Sequence, residues 1–209
     1  MNNLFPFIIS FLFIALSELG DKTQVLVLSF STKNKTSHIL IGIAIGTLLS
    51  HGIAIILGSK ICNYGDTNFI YYLKLLTYLT FLVFGILGFI KLIKTSTNLT
   101  KTDYKLKLLN YISSLFKNCI FIVALSIAIG EIGDKTWLAS IGLGIQYPMF
   151  KISLICGSIC GMLLSNSIAI FFGKWLSHKI SDKYIDILSN SIFIIFGFLG
   201  LINIFLNYK

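Results

Sequence analysis

Residues 18–23 read Glu18-Leu-Gly-Asp-Lys-Thr23, and the same pattern returns as Glu131-Ile-Gly-Asp-Lys-Thr136, each copy set inside a long apolar run. The recurrence extends outward from both copies. Gly42-x-x-x-Gly46 and Ser50-His51-x-x-Ala54-Ile55-x-x-Gly58 return as Gly157-x-x-x-Gly161 and Ser165-Asn166-x-x-Ala169-Ile170-x-x-Gly173, and Phe84-Gly-Ile-Leu-Gly88 returns as Phe196-Gly-Phe-Leu-Gly200. The chain is therefore an internal duplication.

Each copy carries three runs of about 20 apolar residues, the length needed to cross roughly 30 Å of hydrocarbon. The expected spans are 4–30, 38–59, 69–92, 118–145, 150–173 and 187–206. An odd number of spans per copy forces the two copies into opposite orientations. The expected fold class is thus an all-α polytopic membrane protein of six transmembrane helices, built as two inverted three-helix repeats. The first repeat takes residues 1–93, a basic cytoplasmic-side linker 94–117, and the second repeat 118–209. Leu106, Leu109, Ile112 and Phe116 stand among lysines in that linker, a pattern suited to the membrane surface.

Composition agrees. Of 209 residues 56% are hydrophobic and 12% charged, and the mean hydropathy is +0.87, outside the range of soluble globular domains. All 17 basic residues are lysines, and most lie between apolar runs, where they meet anionic headgroups or set topology; a nucleic-acid partner is not expected. Lys33, Lys35, Lys91, Lys94, Lys101, Lys105, Lys107, Lys117, Lys174, Lys179 and Lys183 fall on one side of the membrane, and only Lys60, Lys74, Lys151 and Lys209 on the other. Both termini are therefore expected on the non-cytoplasmic face. The N-terminal run is too long and too charged for a signal peptide. With no transit sequence and a Lys-, Asn-, Ile- and Phe-rich, Arg-free composition, the expected location is an organelle-encoded plastid membrane or a bacterial inner membrane. Cys62, Cys119, Cys156 and Cys160 lack the spacing of a zinc knuckle or redox motif and are expected to be packing residues.

The doubled motif carries the chemistry. It puts four of the eight acidic residues inside spans one and four, where an ionised, unpaired carboxylate costs several kcal/mol. On a continuous helix Glu18 and Asp21 share a face, as do Glu131 and Asp134, and two such faces meeting would form a cage of four carboxylates. Thr23 and Thr136 would add hydroxyl ligands or steady the carboxylates. Gly20 and Gly133 either let a partner helix approach closely or let the helix unwind and free backbone carbonyls. A structural alternative pairs Glu18 with Lys22 and Glu131 with Lys135 as i to i+4 ion pairs, but leaves Asp21 and Asp134 unexplained. Four carboxylates and the two lysines leave a charge that one divalent cation cancels. An oxygen-rich set with no Cys or His in either motif favours Ca²⁺, Mg²⁺ or Mn²⁺ over zinc and copper. Cations bind only as the carboxylates release protons, so proton exchange follows from the same residues, while sodium coupling stays open on this argument.

These features resemble the GDT-type cation/proton exchangers, whose signature is a twice-repeated Glu-x-Gly-Asp-(Lys or Arg)-(Thr or Ser) in a three-plus-three helix arrangement. The resemblance covers nearly the whole chain. It implies exchange of Ca²⁺ and/or Mn²⁺ for protons, with Glu18, Asp21, Glu131 and Asp134 at the positions matching the cation site. In that family the motif is commonly followed by Gln; Gln24 fits and Trp137 departs. No resident cofactor is expected beyond the transported ion, and the expected partners are divalent cations, protons and the lipid bilayer.

His51 in span two and its counterpart Asn166 are a polar pair that either line the path or hydrogen-bond between helices. The paired Gly-x-x-x-Gly motifs are ordinary close-packing devices. A six-span exporter of small solutes is the alternative function, though it needs less acidic density at the midplane. An enzyme is not expected, since no nucleophile with its base and no His-Glu-x-x-His stands in the sequence.

Overall fold

The computed structural model describes residues 3–19, 24, 27, 30, 31, 34–64, 66–94, 118–179 and 182–207. The described residues are helical throughout: α1 (Leu4–Ser17), α2 (Thr36–Thr47), a π-helical turn (Leu48–Gly52), α3 (Ile53–Tyr64), α4 (Thr67–Lys94), α5 (Cys119–Glu131), α6 (Lys135–Gln146), a 3₁₀ turn (Pro148–Phe150), α7 (Lys151–Lys179) and α8 (Asp182–Asn207). Among the described residues four stretches are long and apolar enough to cross a membrane: Thr36–Cys62, Thr67–Ile90, Pro148–Phe171 and Ile187–Leu206. They match the second, third, fifth and sixth spans expected from the sequence. The linker after Lys94, with its amphipathic stretch, lies outside the described residues.

The expected first and fourth spans differ from continuous helices. α1 stops at Ser17, with the Glu18 N–H closing on the Ile14 carbonyl at 3.0 Å. Residues 20–23 lie outside the described set, and Gln24, Val27, Phe30 and Ser31 are helical again. The fourth span is two helices, α5 and α6, separated by Ile132, Gly133 and Asp134. α5 opens on Asn118, whose side chain accepts from the Ile120 N–H at 3.0 Å, a standard N-cap. It closes at Ile132, where ψ turns to 123°, and Gly133 follows at φ +80°, in the left-handed region that favours glycine. Glu131 and Asp134 therefore do not share one helical face as a continuous helix would require. Of the two roles open to Gly133, the structure takes unwinding: a Cβ there would meet nothing within 4 Å, so no partner helix demands the glycine.

Glycine pairs join the halves crosswise. α2 packs on α5 and α1 packs on α7. A Cβ on Gly42 would stand 2.8 Å from the Ile120 carbonyl oxygen and one on Gly46 2.6 Å from that of Ala124. On the other side Gly157 and Gly161 stand in the same relation to the carbonyls of Phe7 and Phe11, at 2.5 and 2.6 Å. Backbone-to-backbone approach of this kind is available only without a side chain. α4 packs along α8 and α3 along α6.

A cluster of aromatic rings fills the space between α1, α4 and α8, with Phe13 stacked on Phe81 at 5.5 Å and edge-on to Phe193 and Phe196 at 5.0 Å each. Large apolar side chains on outward faces, such as Leu12, Tyr72, Leu76, Leu87, Phe198 and Phe205, are exposed. An aqueous surface does not tolerate so much apolar area, whereas a hydrocarbon environment does.

Candidate metal centre

Glu18 caps the C-terminus of α1 and Glu131 is the last residue of α5. Gly157 and Gly161 draw α1 against α7, Gly42 and Gly46 draw α5 against α2, and the two helix ends meet. Beside them stands His51, carried on the π-helical turn. Such turns insert an extra residue and redirect the side chains around them, and they are frequent at functional sites. One ligand atom from each of Glu18, His51 and Glu131 lies within 4.8 Å of the other two. All three residues are fully buried at 0% exposure, and His51 Nε2 lies 3.9 Å from Glu131 Oε2.

Two carboxylates this close in a low-dielectric interior repel unless a proton or a cation stands with them. The C-termini of α1 and α5 both end here, each bringing a partial negative charge of about half a unit. The spacing suits a single ion, because donors on opposite sides of an ion with bonds of about 2.3–2.6 Å stand up to about 5 Å apart.

The other residues of the expected set are placed as follows. Asp134 is half-buried, in extended conformation at the N-cap of α6, and its N–H donates to the Glu131 carbonyl at 3.0 Å; it is not part of the trio. Thr136 is fully buried and its Oγ1 has no hydrogen-bond partner among the described residues. Asp21, Lys22 and Thr23 lie outside the described residues. Lys135 does not fold back on Glu131, because the helix breaks between them. Its Nζ donates to Ser189 Oγ at 2.8 Å and sits 5.3 Å from the centre of the Phe193 ring, while Ser189 donates to the Ser17 carbonyl at 3.2 Å. Lys135 is thereby tied to the end of α1 through α8.

The residues after the two motifs turn out to be equivalent. Gln24 Nε2 donates to the Ser165 carbonyl and Trp137 Nε1 to the Ser50 carbonyl, both at 3.1 Å. Ser50 and Ser165 are counterparts in the duplication, so Trp137 departs from Gln in shape yet keeps the N–H that the position uses. Asn166, counterpart of His51, is fully buried and its Nδ2 donates to the Met162 carbonyl at 2.9 Å on its own helix.

Two features of the site are not anticipated from the sequence. Ser140, bonded to His51 Nδ1 at 2.7 Å, belongs to neither motif, although its place one turn after Thr136 on a polar stripe is a signal. The nearness of His51 to the glutamates has no sequence signal, since it depends on how α2 packs on α5.

The divalent cation/proton antiporter GDT1 family model matches residues 6–96 and 119–207. A Vibrio cholerae protein named "Putative manganese exporter" is 29% identical over 172 residues, covering 82% of this chain and 78% of its own length. The GDT1-like protein sll0615 of Synechocystis is 26% identical over 192 residues, covering 89% and 91%. GDT1-like protein 5 of Oryza sativa is 36% identical over 86 residues, covering 41% of this chain and 36% of the relative. No solved structure matches the chain significantly.

Proposed function

The chain belongs to the GDT1 family of divalent cation/proton antiporters, and on that premise we propose that it exchanges Ca²⁺ and/or Mn²⁺ for protons at the meeting point of α1 and α5. The observation that carries this is the convergence of Glu18 and Glu131, one from each copy of the motif, within 4.8 Å and wholly out of solvent. Asp21 and Asp134 complete the ligand set as the ion enters or leaves, and the Thr23 and Thr136 hydroxyls steady it. The relative described as a manganese exporter supports Mn²⁺ as a cargo.

The exchange rests on charge. One divalent cation carries the charge of two protons, so a one-for-two swap leaves the net charge of the buried site unchanged and neither state bears an added buried charge. A cation arriving from one face displaces the protons, and protons arriving from the other face displace the cation. We further infer six membrane crossings in two inverted repeats, 1–93 and 118–209, joined by a basic linker over 94–117. The crosswise glycine packing and the family match in two stretches of similar length support this. The broken ends of α1 and α5 put helix termini at the cation site, as the discontinuous helices of secondary transporters do. The Arg-free composition favours a plastid or a bacterial inner membrane as host.

The test is Mn²⁺ and Ca²⁺ uptake into proteoliposomes under an imposed pH gradient, with Glu18→Gln and Glu131→Gln alongside the intact chain. Uptake that follows the gradient and is lost in both variants is expected. Normal uptake in both variants, or none by the intact chain, would overturn the proposal.

A further inference from the structure

The hydrogen bonds around His51 determine which of its ring nitrogens can bind a cation. Ser140 Oγ donates to the Thr136 carbonyl at 3.0 Å. A hydroxyl has one proton and a carbonyl can only accept. With that proton in the Thr136 bond, the 2.7 Å contact between Ser140 Oγ and His51 Nδ1 runs from Nδ1–H to the oxygen. In the neutral ring, the form a cation requires, this leaves Nε2 with a bare lone pair. Nε2 has no hydrogen-bond partner among the described residues and lies 3.9 Å from Glu131 Oε2. A lone pair turned on a carboxylate oxygen is repulsive, and a positive ion seated between them reverses the sign.

We infer that His51 Nε2 is a direct ligand of the transported cation, that Ser140 is the positioning residue that holds its tautomer, and that this nitrogen makes the site favour Mn²⁺ over Ca²⁺ and Mg²⁺. The inference rests on the trio being the transport site. Ca²⁺ and Mg²⁺ are served by oxygen, whereas Mn²⁺, which also suits carboxylates, is a first-row transition ion and stands lowest in the series that mixed nitrogen and oxygen sites bind; His51 thereby also removes the ground on which the His-free motifs excluded the later ions of that series. A ligating histidine usually donates its other ring N–H to a carboxylate, a backbone carbonyl or water, and here the Ser140 hydroxyl oxygen takes that place. The duplication supplies a contrast within the same chain: the positions corresponding to His51 and Ser140 hold Asn166 and Val27, and Asn166 is turned back to its own helix. The imidazole and the hydroxyl that holds it occur together, and only in one copy.

The experiment uses the full chain in detergent, loaded with MnCl₂ or CaCl₂. Electron-spin-echo modulation of bound Mn²⁺ is expected to show a directly coordinated nitrogen in the intact protein and to lose it in His51→Asn. His51→Asn is expected to weaken Mn²⁺ binding by about 10–100-fold, on the scale of lost ligand support, with a smaller change for Ca²⁺. Ser140→Ala is expected to weaken Mn²⁺ by about 10-fold, the lower end of that scale, with Ser140→Thr restoring it. Bound Mn²⁺ without nitrogen modulation in the intact protein would overturn the inference, and that readout needs no variant to fold. Equal weakening of Mn²⁺ and Ca²⁺ in His51→Asn would overturn it as well. Proton-driven exchange without nitrogen coordination would leave the antiport proposal standing and remove His51 as ligand; nitrogen coordination without exchange would overturn the antiport proposal and, with it, the reading of the bound ion as cargo.

Discussion

Gly133→Ala tests whether the break between α5 and α6 is a matter of backbone conformation. Gly133 sits at φ +80° with nothing within 4 Å of the point where a Cβ would stand, so alanine would meet no neighbour and the whole cost is conformational. The left-handed region costs an L-residue about 1–2 kcal/mol, and alanine's smaller unfolded-state entropy returns about 0.4–1 kcal/mol. The net loss is therefore about 1 kcal/mol, which for a chain of this size lowers the melting temperature by about 2–4 °C. The functional effect should be larger than the stability effect. A right-handed residue 133 would run α5 into α6, carrying away the turn in which the Asp134 N–H meets the Glu131 carbonyl at 3.0 Å. Gly133→Asn, which tolerates positive φ, is expected to recover most of both losses. The assay is thermal unfolding in detergent together with pH-driven Mn²⁺ uptake in liposomes. Asn as damaging as Ala would mean that the absent side chain matters and not the dihedral, and Ala as good as Gly would mean that the turn is not needed.

Gly46→Leu and Gly161→Leu, which would push a side chain into carbonyls 2.6 Å from the Cβ position, should each separate a helix pair and lose folded protein on size-exclusion chromatography; near-normal yield of both would refute the crosswise packing. Trp137→Phe removes the indole donor to Ser50 while keeping most of the ring, and should lower stability by about 1 kcal/mol, the worth of a typical hydrogen bond, measured by thermal unfolding. Lowering pH on the side from which the cation binds should weaken apparent Mn²⁺ affinity, because protons occupy the same carboxylates and must leave before the ion can bind; raising pH should strengthen it, as read from uptake titrations at fixed gradient. If one divalent ion replaces two protons, exchange carries no net charge, and clamping the membrane voltage with potassium and valinomycin should leave the uptake rate unchanged.

Much of the fold is legible because lipid imposes simple rules on sequence. The second, third, fifth and sixth spans can be read from apolar length alone, since a helix that satisfies its own backbone is the economical crossing structure. The first and fourth spans mislead in one respect. Apolar content continues through Glu18 and through Ile132–Asp134, so a hydropathy count cannot see that the backbone turns there. Gly133 signals unwinding and close approach equally well, and the absence of any neighbour near its Cβ position decides between them. The ion pair Glu131–Lys135 is plausible at helical spacing and disappears once the helix is broken.

By itself the sequence determined the class of molecule, the duplication and the acidic residues set among apolar runs, and it pointed to the kind of ion they would suit, because each of these depends on residue type and spacing along the chain. The tertiary structure decided which of those residues meet. Glu18 and Glu131 come together through glycines on other helices, His51 joins them from outside either motif, and Ser140 bonds its Nδ1. Those outcomes depend on directions in space between helices distant in sequence, and one chain carries no periodic signal for such directions.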